Sequence, residues 1–363
     1  MQREKQIFQK QTDRYFTLKK LKTIALNKST DRNKMQSTIG IIVAIEGNES
    51  EEKIRNTIDS AILQTYEKTK TIIAADFVSK DTEKILNEYI EKFSDKVVLV
   101  SNEEKRGRGG AFNLGLRNAN TDWIAFLNEG DILKSDFASK LVSIGDKDEL
   151  DVVACRCNYE YADQDEEIFK EAGRELDFDA HSLLCVNPGR MEAKIYKRNI
   201  FDDNGLWFPE GMAYEKLGIE RLALFLAEKM DYVNEELYEI DLEREKEVSF
   251  EDLYDRLDVM TFFIEECYKR EFLEEFPEEV EAAVIDDMYI STLFTYMAIS
   301  PAKKRKITFL NMLRDAITDC FPEFETNPYY YEKYDDDLKD LISLHVMSPY
   351  KFIKQTMKMK FEE

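Results

Sequence analysis

The sequence predicts an α/β fold, in which a mostly parallel sheet flanked by helices is followed by a helical C-terminal region. From residue 39 onward, short apolar runs rich in β-branched residues alternate with amphipathic segments of helical length. After residue 241 the chain is acidic and aromatic and contains no glycine, which favours helices. We therefore expect a basic arm at 1–37, a sheet domain at 38–241 and helices at 242–363.

Four apolar runs are the first strand candidates, because each is short and bounded by polar residues. They are IGIIVAI (39–45), TIIAA (71–75), VVLV (97–100) and WIAFL (123–127). Between the first two, Ile54, Ile58 and Ile62 lie four positions apart and indicate one face of a helix. Such strands and helices form right-handed βαβ units, whose ligands bind at the carboxyl ends of the strands. DVVACRCNYEY and EAKIYKR are strand candidates further along the chain.

The composition excludes several classes of protein. The 363 residues include 51 Lys and Arg against 74 Asp and Glu, a net charge of −23, so no nucleic-acid partner is expected. The five cysteines are too sparse for a disulfide framework and indicate a reducing compartment. Cys155 and Cys157 lie two apart in an apolar run and are expected in the core. Two histidines are too few for a metal site built from several His ligands.

The two ends of the chain carry the opposite charge to its body. Residues 1–37 hold ten Lys and Arg against three acidic residues, a net charge of +7, and the final SPYKFIKQTMKMKF interleaves lysines with apolar side chains. Such segments lie on an anionic membrane surface, form a solvated helix packed on its own domain, or are frayed termini. With neither a signal-peptide stretch nor a run of about 20 apolar residues, the prediction is a cytoplasmic protein with peripheral membrane contact as one alternative.

Six segments with polar residues follow the strand candidates in a fixed order. They are IIVAIEGNE, DSAILQTY, ADFVSKDT, GRGGAFNLGLRNA, WIAFLNEGDIL and GLWFPEGMAYEKLG. In order and spacing, over about residues 38–240, they resemble the motifs of the family 2 glycosyltransferases, whose GT-A fold is a Rossmann-like, mostly parallel sheet. The resemblance implies a UDP- or dTDP-type sugar donor, Mn²⁺ or Mg²⁺ held by an Asp-x-Asp segment, an Asp base, and inversion at the sugar.

The nucleotide half of these motifs is the better retained. Glu49 matches the glutamate after the first strand, Asp76 is the remaining Asp of the second acidic motif, and Asn113 matches the Asn of the Gly-rich helix. The resemblance assigns nucleotide binding to these three residues and to Asn128.

The metal motif departs from the family pattern. Asn128 and Gly130 stand at the two ligand positions, and Asp131 is the one candidate ligand that is kept. Because a hard divalent cation prefers carboxylate oxygens, a Mn²⁺ or Mg²⁺ cofactor is in doubt. As an alternative, Arg106 and Arg108 in the Gly-rich turn would hold the donor diphosphate without a metal, together with the backbone amides there.

The base position departs as well. Lys216 stands where the family has its Asp, and Glu215 precedes it. To act as a base near neutral pH, Lys216 would need its pKa lowered from about 10.4 to about 7, which costs about 4–5 kcal/mol. Glu215 is the better candidate, although one residue along a helix turns a side chain by about 100°. Both are predicted catalytic residues.

Two functions of different classes follow. The first is an active transferase that moves a sugar to a surface-glycan, lipid-linked or protein-linked acceptor. The second is a GT-A-fold subunit without catalysis that binds or scaffolds an active glycosyltransferase, which the loss of several motif residues favours. The C-terminal helices would serve acceptor recognition, self-association or membrane docking.

Overall fold

The computed structural model describes residues 36–242, 248–301, 304–357 and 359. The predicted basic arm lies outside these residues, apart from its last two positions. From Ser37 onward the described residues belong to one compact unit.

One sheet of eight strands organises the fold. In chain order the strands are β1 (Ile39–Ile45), β2 (Thr69–Asp76), β3 (Val97–Asn102), β4 (Trp123–Asn128), β5 (Ile132–Leu133), β6 (Val152–Cys157), β7 (Lys194–Lys197) and β8 (Met230–Glu239). Across the sheet their order is β3-β2-β1-β4-β7-β6-β8-β5. The first four are parallel neighbours, β7 runs antiparallel between β4 and β6, β6 pairs parallel with β8, and β5 pairs antiparallel with β8. The prediction of a mostly parallel sheet is confirmed.

Eight helices accompany these strands in the described part of the domain. They are α1 (Glu51–Ile62), α2 (Lys80–Lys92), α3 (Gly107–Asn118), α4 (Phe137–Asp148), α5 (Ala162–Ala172), α6 (Phe178–Val186), α7 (Asn199–Asp202) and α8 (Ile219–Phe225). α1 and α2 begin directly after Ser50 and Ser79, whose side chains accept hydrogen bonds from the backbone amides of Lys53 and Thr82. Serine caps of this kind satisfy otherwise unpaired amides and therefore fix where a helix starts.

β1 is buried along its whole length because helices cover both faces of the sheet. Ile41 and Val43 belong to the core under α1, α2 and α4. Ile42 and Ala44 point the other way and pack with α3. The uninterrupted apolar run in the sequence is the direct consequence.

The cysteines of β6 confirm their prediction. Cys155 and Cys157 are buried in the same core, and burial raises the pKa of both thiols, that of Cys157 to about 12. All five cysteines are free.

The C-terminal region is helical, as predicted. Its helices are α9 (Phe250–Lys269), α10 (Phe272–Glu275), α11 (Pro277–Ala283), α12 (Ser291–Ile299), α13 (Ile307–Cys320), α14 (Pro328–Lys333), α15 (Asp336–Met347) and α16 (Pro349–Thr356). Their apolar side chains share one core with those of β1, β4 and α3, so this region packs directly on the sheet domain.

One continuous helical stretch, Pro277–Ile299, joins α11 to α12 through a π-helical turn at Val284–Ile290. By length and composition it is apolar enough to cross a membrane, a feature that the sequence inspection missed. Most of it is buried, however, and Val280, Met288 and Leu293 lie in the shared core. The stretch therefore has the packing of a core helix.

The basic C-terminal segment begins with α16, whose apolar face is turned inward. Phe352 is fully buried, whereas Lys351 and Lys354 are exposed. This matches the alternative of a solvated helix packed on its own domain. Tyr350 and Met357 are also exposed, and membrane contact at this end stays a prediction.

Candidate functional site

A cleft of about 1000 Å³ opens beside the residues that follow β1 and β3. Its walls come from the start of α3, the segments around residues 188–192 and 211–217, and the start of α9. Charged side chains of both signs line it, including Glu46, Lys105, Arg108, Arg190, Glu192, Glu215, Lys216 and Glu220.

The predicted site residues, all of which are described, divide into two groups. Arg108, Glu215 and Lys216 line the cleft. The others lie outside its lining and are mostly engaged in hydrogen bonds that shape the surrounding loops; they are Glu49, Asp76, Arg106, Asn113, Asn128 and Asp131.

Asp76 holds the beginning of α3. Its buried carboxylate accepts hydrogen bonds from the amide nitrogens of Arg106 at 2.9 Å and Gly107 at 2.7 Å, and from Asn102 Nδ2 at 2.9 Å. The guanidinium of Arg106 turns to Glu210, 3.2 Å away. These contacts occupy two of the backbone amides that the Gly-rich turn would offer to a phosphate.

Asn113 fastens the chain around residue 208 to α3. Its Nδ2 donates to the carbonyl of Phe208 at 2.9 Å, and the amide of Phe208 donates to its Oδ1 at 2.9 Å. A Cβ on Gly109 would lie 2.2 Å from the carbonyl oxygen of Pro209, so only glycine permits this approach. The Gly-rich turn therefore positions the segment that leads to Glu215.

Glu129 closes the loop after β1. Its carboxylate accepts hydrogen bonds from the backbone amides of Glu46 at 2.7 Å, Gly47 at 2.9 Å and Glu49 at 3.2 Å. Burial raises the pKa of Glu129 despite these bonds. The carboxylate of Glu49 lies 3.4 Å from Lys53 Nζ.

Asp131 ties the end of β4 to the end of β8. Its Oδ2 accepts from Asn128 Nδ2 and from the hydroxyl of Tyr238, each at 2.7 Å, and its Oδ1 accepts from the amide of Asp241 at 3.0 Å. The residue is 1% exposed. Both carboxylate oxygens are thus already used within the protein.

An ammonium group occupies the other side of Asn128. Lys216 Nζ donates to Asn128 Oδ1 at 2.9 Å and forms a short ion pair with Glu192, which lies in the 3₁₀ turn Met191–Ala193 before β7. Burial alone would raise the pKa of Glu192, but the charge of Lys216 and the amide of Asn128 hold that pKa well below its usual range. In this geometry Lys216 acts as a hydrogen-bond donor rather than as a proton acceptor.

Arg108 lies between two carboxylates. Its Nε and Nη2 donate to Glu46 Oε2 at 3.1 and 3.0 Å, and its Nη1 lies 3.7 Å from Glu215 Oε1. Burial of the guanidinium is outweighed by Glu215 and Glu46, which raise the pKa of Arg108. Glu215 itself is 4% exposed, and among the described residues its Oε1 has no hydrogen-bond partner.

α9 holds the loop that carries Glu215. Tyr214 has a φ of +61°, a left-handed conformation that is unusual for a non-glycine residue. The guanidinium of Arg256 lies 4.0 Å from the centre of its ring, and Asp255 accepts a hydrogen bond from the amide of Ala213 at 2.8 Å. The C-terminal region thereby contributes to the geometry of the cleft.

Comparison with known proteins identifies the domain. Residues 41–202 match the family model described as Glycosyl transferase family 2. These residues are a family 2 glycosyltransferase domain. The predicted resemblance and the predicted enzyme class, a glycosyltransferase, are confirmed.

The relatives of this chain are distant in sequence. The putative glycosyltransferase EpsH of Bacillus subtilis is 24% identical over 270 residues, which are 68% of this chain and 74% of EpsH. The poly(ribitol-phosphate) beta-N-acetylglucosaminyltransferase TarS of Staphylococcus aureus is 22% identical over 243 residues, 62% of this chain and 42% of TarS. This chain therefore spans less than half of TarS.

Solved structures support the GT-A fold predicted for this chain. S. aureus TarS 1-349 in complex with UDP-GlcNAc superposes with a TM-score of 0.64 at 16% identity, covering 90% of this chain and 93% of that one. The mannosyltransferase PcManGT of Pyrobaculum calidifontis, in complex with GDP-Man and Mn²⁺, gives a TM-score of 0.51 at 13% identity, covering 90% and 88%. At these identities the likeness shows the fold alone, and the C-terminal helices are included in it.

The described residues at the position of the metal motif do not fit a divalent cation. The described part of the chain contains no group of three His, Cys, Asp or Glu side chains arranged to hold a metal. Asp131 has both oxygens engaged, and the Lys216 ammonium, which repels a cation, bonds to Asn128 at the first ligand position.

Sequence inspection missed several charged residues of this site, among them Glu46 and Glu192. Glu46 directly follows β1 and holds Arg108, and its position after a strand was a usable signal. Glu192 holds Lys216 from a turn 24 positions earlier in the chain, and no local pattern marks it. Only the fold brings Glu192 to the cleft.

Proposed function

We propose that this chain transfers a sugar from a UDP- or dTDP-type donor to a hydroxyl of a surface-glycan, lipid-linked or protein-linked acceptor, with inversion and without a divalent cation. The observation that carries the proposal is the meeting of two cationic side chains, Arg108 and Lys216, with the buried carboxylate of Glu215 in one cleft of a GT-A fold.

The cations are placed to receive the donor. A nucleotide diphosphate gains negative charge as it leaves the sugar, and fixed positive groups stabilise that charge. Arg108 and Lys216 provide such groups at the cleft wall, and the complex of TarS with UDP-GlcNAc supports a UDP-type donor. In this proposal Glu49 and Asp76 have an indirect role: they do not contact the nucleotide but shape the loops beside it.

Glu215 is the proposed base. A buried carboxylate oxygen without a hydrogen-bond partner is costly unless a ligand donates to it, and an acceptor hydroxyl is such a donor. In the transfer the acceptor oxygen forms a bond to the anomeric carbon, the bond from that carbon to the diphosphate breaks, and Glu215 takes the hydroxyl proton. Lys216 is less suited to this role because its ammonium is paired with Glu192.

One observation favours the alternative, a subunit without catalysis that binds an active transferase. The polar groups of Asn128, Asp131, Glu192 and Lys216 satisfy one another. A cluster whose side chains are all hydrogen-bonded within the protein is compatible with a purely structural role.

The test combines nucleotide binding with donor turnover. UDP at about 100 times its Kd should stabilise the protein by about 2.7 kcal/mol in EDTA. Glu215→Gln should keep UDP binding and lower transfer or hydrolysis of UDP-GlcNAc by about 10²–10⁴-fold. Glu175→Gln, an exposed carboxylate outside the cleft lining, is the matched control. Nucleotide binding with no turnover of any UDP- or dTDP-sugar would favour the subunit without catalysis, and absence of all nucleotide binding would reject the proposal.

A further inference from the structure

We infer that the ammonium of Lys216 takes the place of a divalent cation in this chain and donates a hydrogen bond to the diphosphate of the sugar donor. The inference rests on the proposed function, because it assumes a nucleotide diphosphate in the cleft. It differs from the predicted role of Lys216 as a base.

The position of the ammonium supports this inference. Asn128 stands at the first ligand position of the metal motif, and Lys216 Nζ lies 2.9 Å from its Oδ1. An amide oxygen that would be a neutral metal ligand is here the acceptor of a protonated amine. A second cation at the same oxygen would meet the positive charge of Lys216 at close range.

Neighbouring side chains hold the ammonium in place. Glu192, itself 8% exposed, pairs with Nζ and also accepts a hydrogen bond from Asn128 Nδ2 at 3.0 Å. Asn128 is fixed in turn by Asp131. A charged donor that is already oriented needs no reorganisation when negative charge develops nearby, so Glu192 is a positioning residue for Lys216.

The ammonium also remains reachable from the cleft. The side chain of Lys216 is 15% exposed and lines the cleft. An ammonium has three N–H donors, and the described residues supply two acceptors to it, Asn128 and Glu192. The remaining N–H is available to a phosphate oxygen.

Lys216 supplies less positive charge to the diphosphate than a divalent cation would. Glu192 offsets the single charge of Lys216, whereas a metal would bring two positive charges. Arg108 lines the same cleft and carries a second fixed charge, although Glu46 and Glu215 lie beside it. Lys216 and Arg108 therefore share the diphosphate, and neither is expected to suffice alone.

The experiment compares the affinities of UDP and UMP for the full chain by calorimetry, in EDTA and in Mn²⁺. UMP lacks the second phosphate, so it reports nucleotide binding without the diphosphate contact. The test variant combines Lys216→Met with Glu192→Gln, which removes both charges and leaves no unpaired buried carboxylate. The control combines Lys134→Met with Glu239→Gln, an ion pair of 2.7 Å outside the cleft lining.

We expect wild type to bind UDP as tightly in EDTA as in Mn²⁺. The test variant should lose about 10- to 100-fold in UDP affinity and keep its UMP affinity, since one charge-assisted hydrogen bond is removed. Unchanged UDP affinity in the test variant, or equal losses for UDP and UMP, would overturn the inference while leaving sugar transfer as the proposed function. UDP binding that requires Mn²⁺ would overturn both the inference and the metal independence of the proposed function. Wild type that binds no nucleotide would overturn both. The wild-type comparison needs no variant, so the inference is testable even if the double substitution impairs folding.

Discussion

The carboxylate of Asp76, at the end of β2, accepts a hydrogen bond from the backbone amide of Gly107 at 2.7 Å and so caps the first turn of α3. The amide of Arg106 and the side chain of Asn102 donate to the same carboxylate. Asp76, which the motif assigns to nucleotide binding, therefore caps a helix in this structure. Its substitution should destabilise the fold even in the absence of a nucleotide.

Asp76→Ala should lower the free energy of unfolding by about 2–3 kcal/mol, because three partly buried donors lose their charged acceptor. Urea unfolding followed by circular dichroism measures the change. Asp81→Ala, in the first turn of α2 with a side chain that is 89% exposed, should change stability by less than about 0.5 kcal/mol. Equal stabilities for Asp76→Ala and wild type would contradict the capping role.

The fold could be predicted from the sequence because its signals are local. The run 39–45 is apolar throughout since both faces of β1 are covered, and Ser50 marks the start of α1 through its own side chain. The antiparallel insertion of β7 between β4 and β6 could not be predicted, because strand order depends on pairings between distant segments.

The site could be predicted only in part, for a different physical reason. Residue type tells that Asp131 or Asn113 carries polar atoms, but it does not tell whether backbone groups of the same protein already use them. Arg108, Glu215 and Lys216 line the cleft. The partners that decide their chemistry come from elsewhere in the chain.

Gly109→Ala tests whether the Gly-rich turn serves packing. Alanine raises helix propensity by about 1 kcal/mol, but its Cβ would lie 2.2 Å from the carbonyl oxygen of Pro209 and 3.3 Å from Glu215 Cβ. Overpacking of this kind costs about 1–3 kcal/mol, so we expect a net loss of stability. Because the displaced segment leads to Glu215, donor turnover should fall as well. Asn118→Ala, exposed at the end of α3, is the control that should leave turnover unchanged.

The ion pair of Lys216 and Glu192 predicts a loss of stability in acid. The pKa of Glu192 is lower in the folded protein than its ordinary 4.5. The stability that its ionised carboxylate gives the folded protein is therefore present above pH 4.5 and is lost as the pH falls further. Urea unfolding between about pH 3 and pH 6 should therefore show a steeper decline for wild type than for the variant that combines Lys216→Met with Glu192→Gln. Parallel curves for the two proteins would argue against the pair.

Glu220 predicts a pH dependence of the opposite sign. Its side chain is 13% exposed at the cleft, and burial raises its pKa from 4.5 to about 7 despite the nearby charges of Arg221 and Lys194. The folded protein therefore favours the neutral acid. This contribution is fully present below pH 4.5 and is lost as the pH rises through about 7.

Glu220→Gln stays neutral at every pH and should escape that loss. The free energy of unfolding of the variant minus that of wild type should rise by at most about 3 kcal/mol between about pH 4.5 and pH 8. Any effect of the substitution that does not depend on pH shifts this difference equally at every pH. Urea unfolding at several pH values measures the difference. Glu167→Gln, on the exposed side of α5, should show a difference that does not vary with pH. If the stability difference between Glu220→Gln and wild type also does not vary with pH, Glu220 is already ionised in the folded protein at pH 5.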